Sequence, residues 1–192
     1  ESGSFAILNR GKRAIALDLR APGAAQALLA LAPTIDIVLE QFRPGVMDRL
    51  GLGYEAWRAA NPKILYCAIT GYGQDGPRAR EAGHDMNYQA RTGLLALTAG
   101  ADGAPGVPAA LVGDVAGGTY PAVMNLLLAL RRRDRTGEGC FIDIAMAENL
   151  FTFQFLGLAT GHGAGDWPQP GGGTLTGGSP RYRIYATGDG RH

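Results

Sequence analysis

Short apolar runs alternate with Ala- and Leu-rich segments along most of the chain. The runs predict strands at residues 14–19, 35–40, 63–69 and 140–145. The intervening segments predict helices at residues 22–31, 44–49, 54–60, 85–98, 122–133 and 148–159. This alternation is typical of parallel β-α-β units, so we predict an α/β fold built on a parallel sheet.

The two ends of the sequence differ from this pattern. The first four residues are polar and predict a turn leading into a strand, and residues 182–185 predict a further strand near the end. Residues 161–178 are rich in glycine and proline and predict a long loop. We therefore predict a large α/β domain over residues 1–160 that is incomplete at its N-terminus. Residues 161–192 are predicted to be a linker and the beginning of a second, smaller domain.

Composition excludes several classes of protein. Lys and Arg total 18 against 17 Asp and Glu, and this balance argues against a dedicated nucleic-acid-binding protein. No apolar run reaches the roughly 18–20 residues of a membrane span, and the start lacks the basic region of a signal peptide. The lack of a long apolar run predicts no membrane partner. Cys67 and Cys140 have the spacing of neither a metal motif nor a disulfide framework, so we predict no metal site and a cytoplasmic location.

His84 lies where a loop is predicted to lead into a helix. Histidine is the side chain most easily tuned for proton transfer near neutral pH, although a lone histidine is more commonly a surface or capping residue. Asp114 has two similar interpretations, as the N-cap of the following helix or as a functional carboxylate.

Glycines around Asp114 bear on that choice. Gly113, Gly117 and Gly118 weaken the helix that Asp114 would cap, and we interpret them as backbone pressed against a ligand. Free N–H groups at such a helix start could then hold an oxyanion.

Two groups of basic residues predict an anionic ligand, or simply solvated turns. One group is Arg10, Lys12 and Arg13, and the other is Arg43 and Arg49 after a predicted strand. Ligands of open α/β sheets collect at the carboxyl ends of strands, which favours the second group.

Several of these segments, in this order, resemble the class III CoA-transferase superfamily. The matching segments are RGKR at 10–13, LDLR at 17–20, FRPGVM at 42–47, LGLG at 50–53, TGYGQDGP at 70–77, GHDMNY at 83–88, GD at 113–114 with GG at 117–118, and RTGEG at 135–139. The resemblance covers residues 8 to 150 and is weaker beyond them.

The resemblance implies a Rossmann-like large domain and an acyl-CoA substrate. Racemases of this superfamily use a His and an Asp as an acid/base pair, and these carry over to His84 and Asp114. The implied reaction is epimerisation at C2 of a 2-methylacyl-CoA thioester through an enolate, with no cofactor apart from the CoA of the substrate. Transferase members use the aspartate as a nucleophile and typically lack the histidine, so His84 favours a racemase.

The resemblance also implies CoA contacts and an interlocked homodimer. The CoA contacts carry over to Leu17, Asp18, Leu19, Arg20, Gln41, Phe42, Arg43, Arg49, Gly83, Asp85, Met86, Asn87 and Tyr88. A glutamate that supports the histidine would follow His192, and an arginine contact to CoA would precede the first residue. Two alternatives stay open: a CoA-transferase working through an aspartyl-CoA intermediate, and an inactive fragment that binds CoA esters.

Overall fold

A parallel three-stranded sheet forms the centre of the molecule in the computed structural model, which describes residues 2–98 and 104–192. Its strands are β1 (Ile37–Glu40), β2 (Leu65–Thr70) and β3 (Cys140–Ala145), in the order β1-β2-β3. The α-helices of the described residues are α1 (Gly3–Leu8), α2 (Ala24–Leu29), α3 (Val46–Arg49), α4 (Tyr54–Ala60), α5 (Asp85–Arg91), α6 (Tyr120–Thr136), α7 (Met146–Phe151) and α8 (Phe155–Ala164). Short 3-10 turns occupy Ala32–Thr34, Leu95–Thr98 and Thr152–Gln154, and a π-helix occupies Gly113–Thr119.

β2 is buried on both faces, as expected for the central strand of a parallel sheet. Tyr66 and Ala68 point to a cluster that includes Trp57 of α4. Leu65 and Cys67 point to the opposite cluster, beneath α6. Burial raises the pKa of the Cys67 thiol to about 11, with Glu40 and Asp143 adding to the effect, so this cysteine is an inert core residue.

α6 packs on the sheet through small and branched residues spaced four and three apart, Ala122, Leu126 and Ala129. Arg133 continues this contact at the far end, where its guanidinium lies 3.0 Å from a carboxylate oxygen of Asp36. Helices therefore cover both faces of the sheet, with α2 and α4 on one side and α6 on the other.

A third, smaller cluster lies beyond the ends of β2 and β3. It joins Tyr88 of α5 to Ala147 and Leu150 of α7, with Tyr72 and Met146 packed against it. The N–H of Ala147 donates to the carbonyl of Gly71 at 2.9 Å, which ties the start of α7 to the loop after β2. This cluster fixes the helices that carry the candidate site.

The outer face of α6 is apolar and exposed. We call it the α6 stripe, and it consists of Tyr120, Val123, Met124, Leu127 and Leu128, which are each about half or more exposed. No helix within residues 2–98 and 104–192 is both long enough and apolar enough to cross a membrane.

The sheet confirms the predicted strands at 35–40, 63–69 and 140–145, the last of them residue for residue. The strand predicted at 14–19 is wrong, because this segment has no regular structure and pairs with none of the described strands. Ile15 is 75% exposed there. The predicted opening turn and strand is also wrong, since Ser2 accepts a hydrogen bond from the N–H of Phe5 at 3.2 Å and caps α1.

Residues 182–185 do not form a strand either. A single antiparallel bridge joins Ser179 to Tyr182, every residue from Pro180 onward is exposed, and the segment is not part of the sheet formed by the described strands. The helix predicted at 85–98 is interrupted at Gly93, whose φ of +81° ends the α-helical geometry after α5. α8 extends to Ala164, and the predicted division of the chain at residue 160 stays a prediction.

Candidate active site

His84 immediately precedes α5 and is held there by its backbone. Its N–H donates to Oδ1 of Asn87 at 2.9 Å, and its carbonyl accepts from the N–H of Asn87 at 2.8 Å. The imidazole is exposed at the helix start. Asn87, predicted from the resemblance to contact CoA, therefore has a local role in fixing the backbone of His84.

Tyr88 fixes the residue before the histidine. Its hydroxyl donates to the carbonyl of Gly83 at 2.6 Å, and its ring packs edge-on against Tyr72 with the ring centroids 5.4 Å apart. A Cβ atom at Gly71 or Gly83 would lie 2.5 or 2.7 Å from Cε1 of Tyr88, so both positions require glycine. Tyr88 is buried and supports the loop that presents His84.

Asp114 lies in the first turn of the π-helix, a wide helical geometry that is frequent at functional sites. Oδ1 of Asp85 accepts from the N–H of Gly113 at 2.6 Å and from the N–H of Asp114 at 3.1 Å. The start of the π-helix is thereby tied to α5, next to His84.

These bonds correct two expectations. Asp114 is not an N-cap, because Val112 occupies the N-cap position and Asp114 lies inside the helix. The N–H groups of Gly113 and Asp114 are also engaged by Asp85, and that of Val115 donates to Leu111 at 2.9 Å. These three groups therefore cannot serve as the oxyanion donors expected from the sequence.

The glycines of the π-helix face protein and not an open ligand site. A Cβ atom at Gly117 would lie 2.5 Å from the carbonyl oxygen of Met146, and one at Gly118 would lie 3.1 Å from the Met146 side chain. Asn149 also donates to the carbonyl of Gly117 at 2.8 Å. Close packing against α7 explains these glycines, so the interpretation of a ligand pressed against them is wrong.

The pKa of the Asp114 carboxyl is raised above its ordinary value. Partial burial is the largest cause, the negative charge of Asp85 adds to it, and the positive charge of His84 opposes it. The influence of His84 places the two predicted acid/base residues within electrostatic reach of each other.

A cleft of 750 Å³ opens beside the end of β1. Arg43, Arg49 and Arg80 line it, and none of the three forms an ion pair within the described residues. Glu40 also lines the cleft. Burial raises the pKa of its carboxyl, a hydrogen bond from the N–H of Phe42 at 2.6 Å lowers it, and Asp48 raises it further.

Aromatic rings form one wall of this cleft. Tyr66 and Phe141 are stacked with ring centroids 5.8 Å apart, and Tyr54 packs against both. The cleft thus combines three arginines that form no ion pair within the described residues with the exposed ring of Phe141. That chemistry suits a phosphorylated ligand that also carries a ring.

The other predicted CoA contacts lie outside the cleft lining. Asp18 accepts from the N–H of Arg20 at 3.0 Å in an exposed turn, and Leu19 packs against the first core cluster. Leu17, Gln41, Phe42 and Met86 are exposed. The structure thus brings together His84, Asp85 and Asp114 as one group and Arg43 and Arg49 as another, and CoA contact by each of these residues stays a prediction.

Several residues of the site were not predicted from the sequence. Gln89 donates to Oδ2 of Asp85 at 2.6 Å, and the i,i+4 spacing of this pair on a predicted helix is the signal that could have indicated it. Arg80, Glu40 and Tyr72 carried no comparable signal. Among the described residues, no group of three or more His, Cys, Asp or Glu is placed to hold a metal ion.

Comparison with known proteins identifies the family of the chain. The family model for CoA-transferase family III matches residues 1–192. The chain belongs to this family. A CaiB/BaiF family protein from Brucella suis has a crystal structure that superposes with a TM-score of 0.78 at 34% identity, covering 83% of this chain and 42% of that one. CoA-transferase family III thus accounts for both the sequence motifs and the fold.

Family III relatives of known name include both racemases and transferases. The human α-methylacyl-CoA racemase is 39% identical over 191 residues, covering 95% of this chain and 48% of the relative. The acetyl-CoA:oxalate CoA-transferase of Acetobacter aceti is 37% identical over 150 residues, covering 78% of this chain and 38% of the relative. The chain therefore spans about half the length of such relatives or less, and family membership alone does not choose between the two reactions.

Proposed function

We propose that this chain carries the acid/base pair of a 2-methylacyl-CoA racemase. The observation that carries the proposal is the joining of His84 and Asp114: the loop of one and the π-helix of the other meet through the Asp85 carboxylate. The names of the human and mouse racemases, each 39% identical to this chain, support the same reaction.

In the proposed reaction, the thioester carbonyl acidifies the proton on C2. One of His84 and Asp114 removes this proton from one face, giving an enolate, and the other returns a proton to the opposite face, which inverts the centre. No electrons are gained or lost. An acid and a base placed in this way each contribute about 10²- to 10⁴-fold. The raised pKa of Asp114 makes its carboxylate a stronger base than an exposed aspartate.

The cleft beside β1 is proposed to hold the CoA part of the substrate. Arg43, Arg49 and Arg80 would pair with its phosphates, since arginine binds phosphate oxygens in a bidentate manner. Tyr54 and Phe141 would offer a surface for its adenine ring.

A CoA-transferase is the second candidate, favoured by the transferases among the relatives at similar identity. In that reaction the Asp114 carboxylate attacks the thioester carbonyl and expels the CoA thiolate, giving a mixed anhydride. The thiolate then attacks the aspartyl carbonyl and releases the donor carboxylate, leaving an aspartyl-CoA thioester. The acceptor carboxylate repeats the two steps in reverse, which forms the new acyl-CoA and frees Asp114. His84 would have no required part in this sequence.

One experiment separates the two reactions in the complete encoded protein. (2R)-2-Methylacyl-CoA is incubated in D₂O with and without a free carboxylic acid as CoA acceptor. Deuterium at C2 with loss of stereochemical purity, independent of the acceptor, is the result expected for the racemase. Transfer of CoA that depends on the acceptor, without exchange at C2, would overturn the proposal in favour of the transferase.

A further inference from the structure

Asp85 is the most completely hydrogen-bonded carboxylate of the candidate site. Its residue is 7% exposed, Oδ1 accepts two backbone N–H groups of the π-helix, and Oδ2 accepts the side-chain amide of Gln89 at 2.6 Å. Gln89 itself is 1% exposed. Within the described residues Asp85 forms no ion pair, so these three hydrogen bonds are what offsets the desolvation of its carboxylate.

Capping of its own helix, α5, does not account for this arrangement. Asp85 is the first residue of α5, where a negative charge is favourable, but both bonds of Oδ1 leave the helix for residues 28 and 29 positions further along the chain. Direct CoA contact does not account for it either, because both oxygens are committed to protein donors in a buried position.

We propose that Asp85 is a positioning residue, which holds the Asp114 carboxylate opposite His84 by clamping the peptide groups of Gly113 and Asp114 onto α5, with Gln89 fixing the clamp. The two acid/base residues are 30 positions apart in sequence, and Asp85 is the side chain that links their backbones. The inference rests on the proposed function for the role of Asp114, while the clamp itself is testable without turnover.

Asp85 has a second effect, because its negative charge raises the pKa of the Asp114 carboxyl that it positions. Asp85 and Tyr88 of α5 and the preceding His84 are the titratable groups that interact with Asp114. Glu148 of α7, Asp143 of β3 and Tyr120 of α6, on the other elements packed against the π-helix, are exposed. The charged residues of α6 lie at its other end, from Arg131 onward. The negative charge of Asp85 therefore keeps Asp114 more basic while His84 opposes it.

Two substitutions separate geometry from charge. Asp85→Asn keeps an oxygen for the two N–H groups and removes the charge, and the Gln89 amide can turn to present its oxygen to the new NH₂ group. Asp85→Ala removes the clamp and the charge together. We expect kcat for C2 exchange to stay within about 10-fold in Asp85→Asn and to fall by about 100-fold or more in Asp85→Ala, as misplacement of a catalytic group implies. Exposed Asp166→Asn is the matched control and should change nothing.

The pH dependence supplies a readout that a merely structural role would not move. The acid limb of kcat/KM should shift to lower pH in Asp85→Asn, because loss of a neighbouring negative charge lowers the pKa of Asp114. The carboxyl carbon of Asp114, labelled with ¹³C and assigned with Asp114→Asn, should titrate with the same downward shift in the absence of substrate.

The outcomes distinguish this inference from the proposed function. If the wild-type protein only transfers CoA, the proposed function fails, and the Asp114 titration still decides the clamp. If Asp85→Ala does not fold, Asp85→Asn alone provides the test. An unshifted Asp114 titration in Asp85→Asn, or a wild-type rate in Asp85→Ala, would overturn the clamp.

Discussion

The two parts of the candidate site are built in opposite ways. His84 and Asp114 lie on backbone that is fixed by hydrogen bonds: the Tyr88 hydroxyl donates to the carbonyl of Gly83, and the Asp85 carboxylate accepts from the start of the π-helix. The arginines of the neighbouring cleft form no ion pairs within the described residues, and Arg43 is exposed. Proton transfer requires groups placed to within about half an ångström, whereas phosphate binding tolerates a mobile cation. We therefore expect substitutions at His84 and Asp114 to affect the rate, and substitutions of the cleft arginines to affect the affinity.

Removing either acid/base residue should cause the largest loss of activity. We expect His84→Ala and Asp114→Ala to reduce C2 exchange by about 10²- to 10⁴-fold each, since each removes one proton-transfer group. CoA-ester binding, measured by calorimetry, should change little. Full exchange activity in either variant would contradict the two-base assignment.

Disturbing the packing that supports Asp114 should have a smaller effect. Gly117→Ala places a Cβ atom 2.5 Å from the carbonyl oxygen of Met146, so the π-helix must move. We expect kcat to fall by more than about 10-fold and the free energy of unfolding to fall by about 1–3 kcal/mol. Gly163→Ala is the matched control, because nothing lies within 4 Å of the Cβ atom that it adds. Alanine has a higher helix propensity than glycine, so this variant should raise the free energy of unfolding slightly. Equal effects in the two variants would argue against the packing role of Gly117.

Changing the cleft should alter affinity without altering chemistry. We expect Arg43→Ala to raise KM by about 10-fold with kcat unchanged, because the substitution removes one charge-assisted contact to the substrate. The difference from wild type should shrink as ionic strength rises. Arg181→Ala, an exposed arginine outside the cleft lining, serves as the control in the same kinetic measurements. A fall in kcat at constant KM would instead place Arg43 in the chemical step.

The smallest effect should be a gain in stability. An acid whose pKa is raised on folding stabilises the folded state when protonated, and that stability is lost as pH rises through the folded pKa. Asp114→Asn should therefore raise the melting temperature at pH 7, and the gain should disappear below the ordinary aspartate pKa of about 3.9. Because water screens the partly exposed carboxylate, we expect less than the roughly 2–4 °C that 1 kcal/mol produces at this chain length. A melting temperature lowered at neutral pH would contradict the sign of the pKa shift.

The sequence was sufficient to predict those elements whose pattern lies within the element itself. β3 coincides with its apolar run, and the motif order identified the family. Residues 14–19 alternate like a strand, but a strand also needs a neighbour to pair with, and that requirement is not visible in the segment itself.

The contacts that build the site are non-local and were not predictable in the same way. Asp85 bonds to residues 28 and 29 positions away, and Gly117 and Gly118 are explained by Met146 across the fold. The pairing of His84 with Asp114 came from the family resemblance, since spacing alone left a capping role open for each.

The α6 stripe connects the molecular surface to the candidate site. α6 continues directly from the π-helix that carries Asp114, and Tyr120 begins both the helix and its exposed apolar surface. Any protein surface bound to this stripe would restrain α6, and through α6 the π-helix that carries Asp114, so its binding energy would add to the stability of that helix.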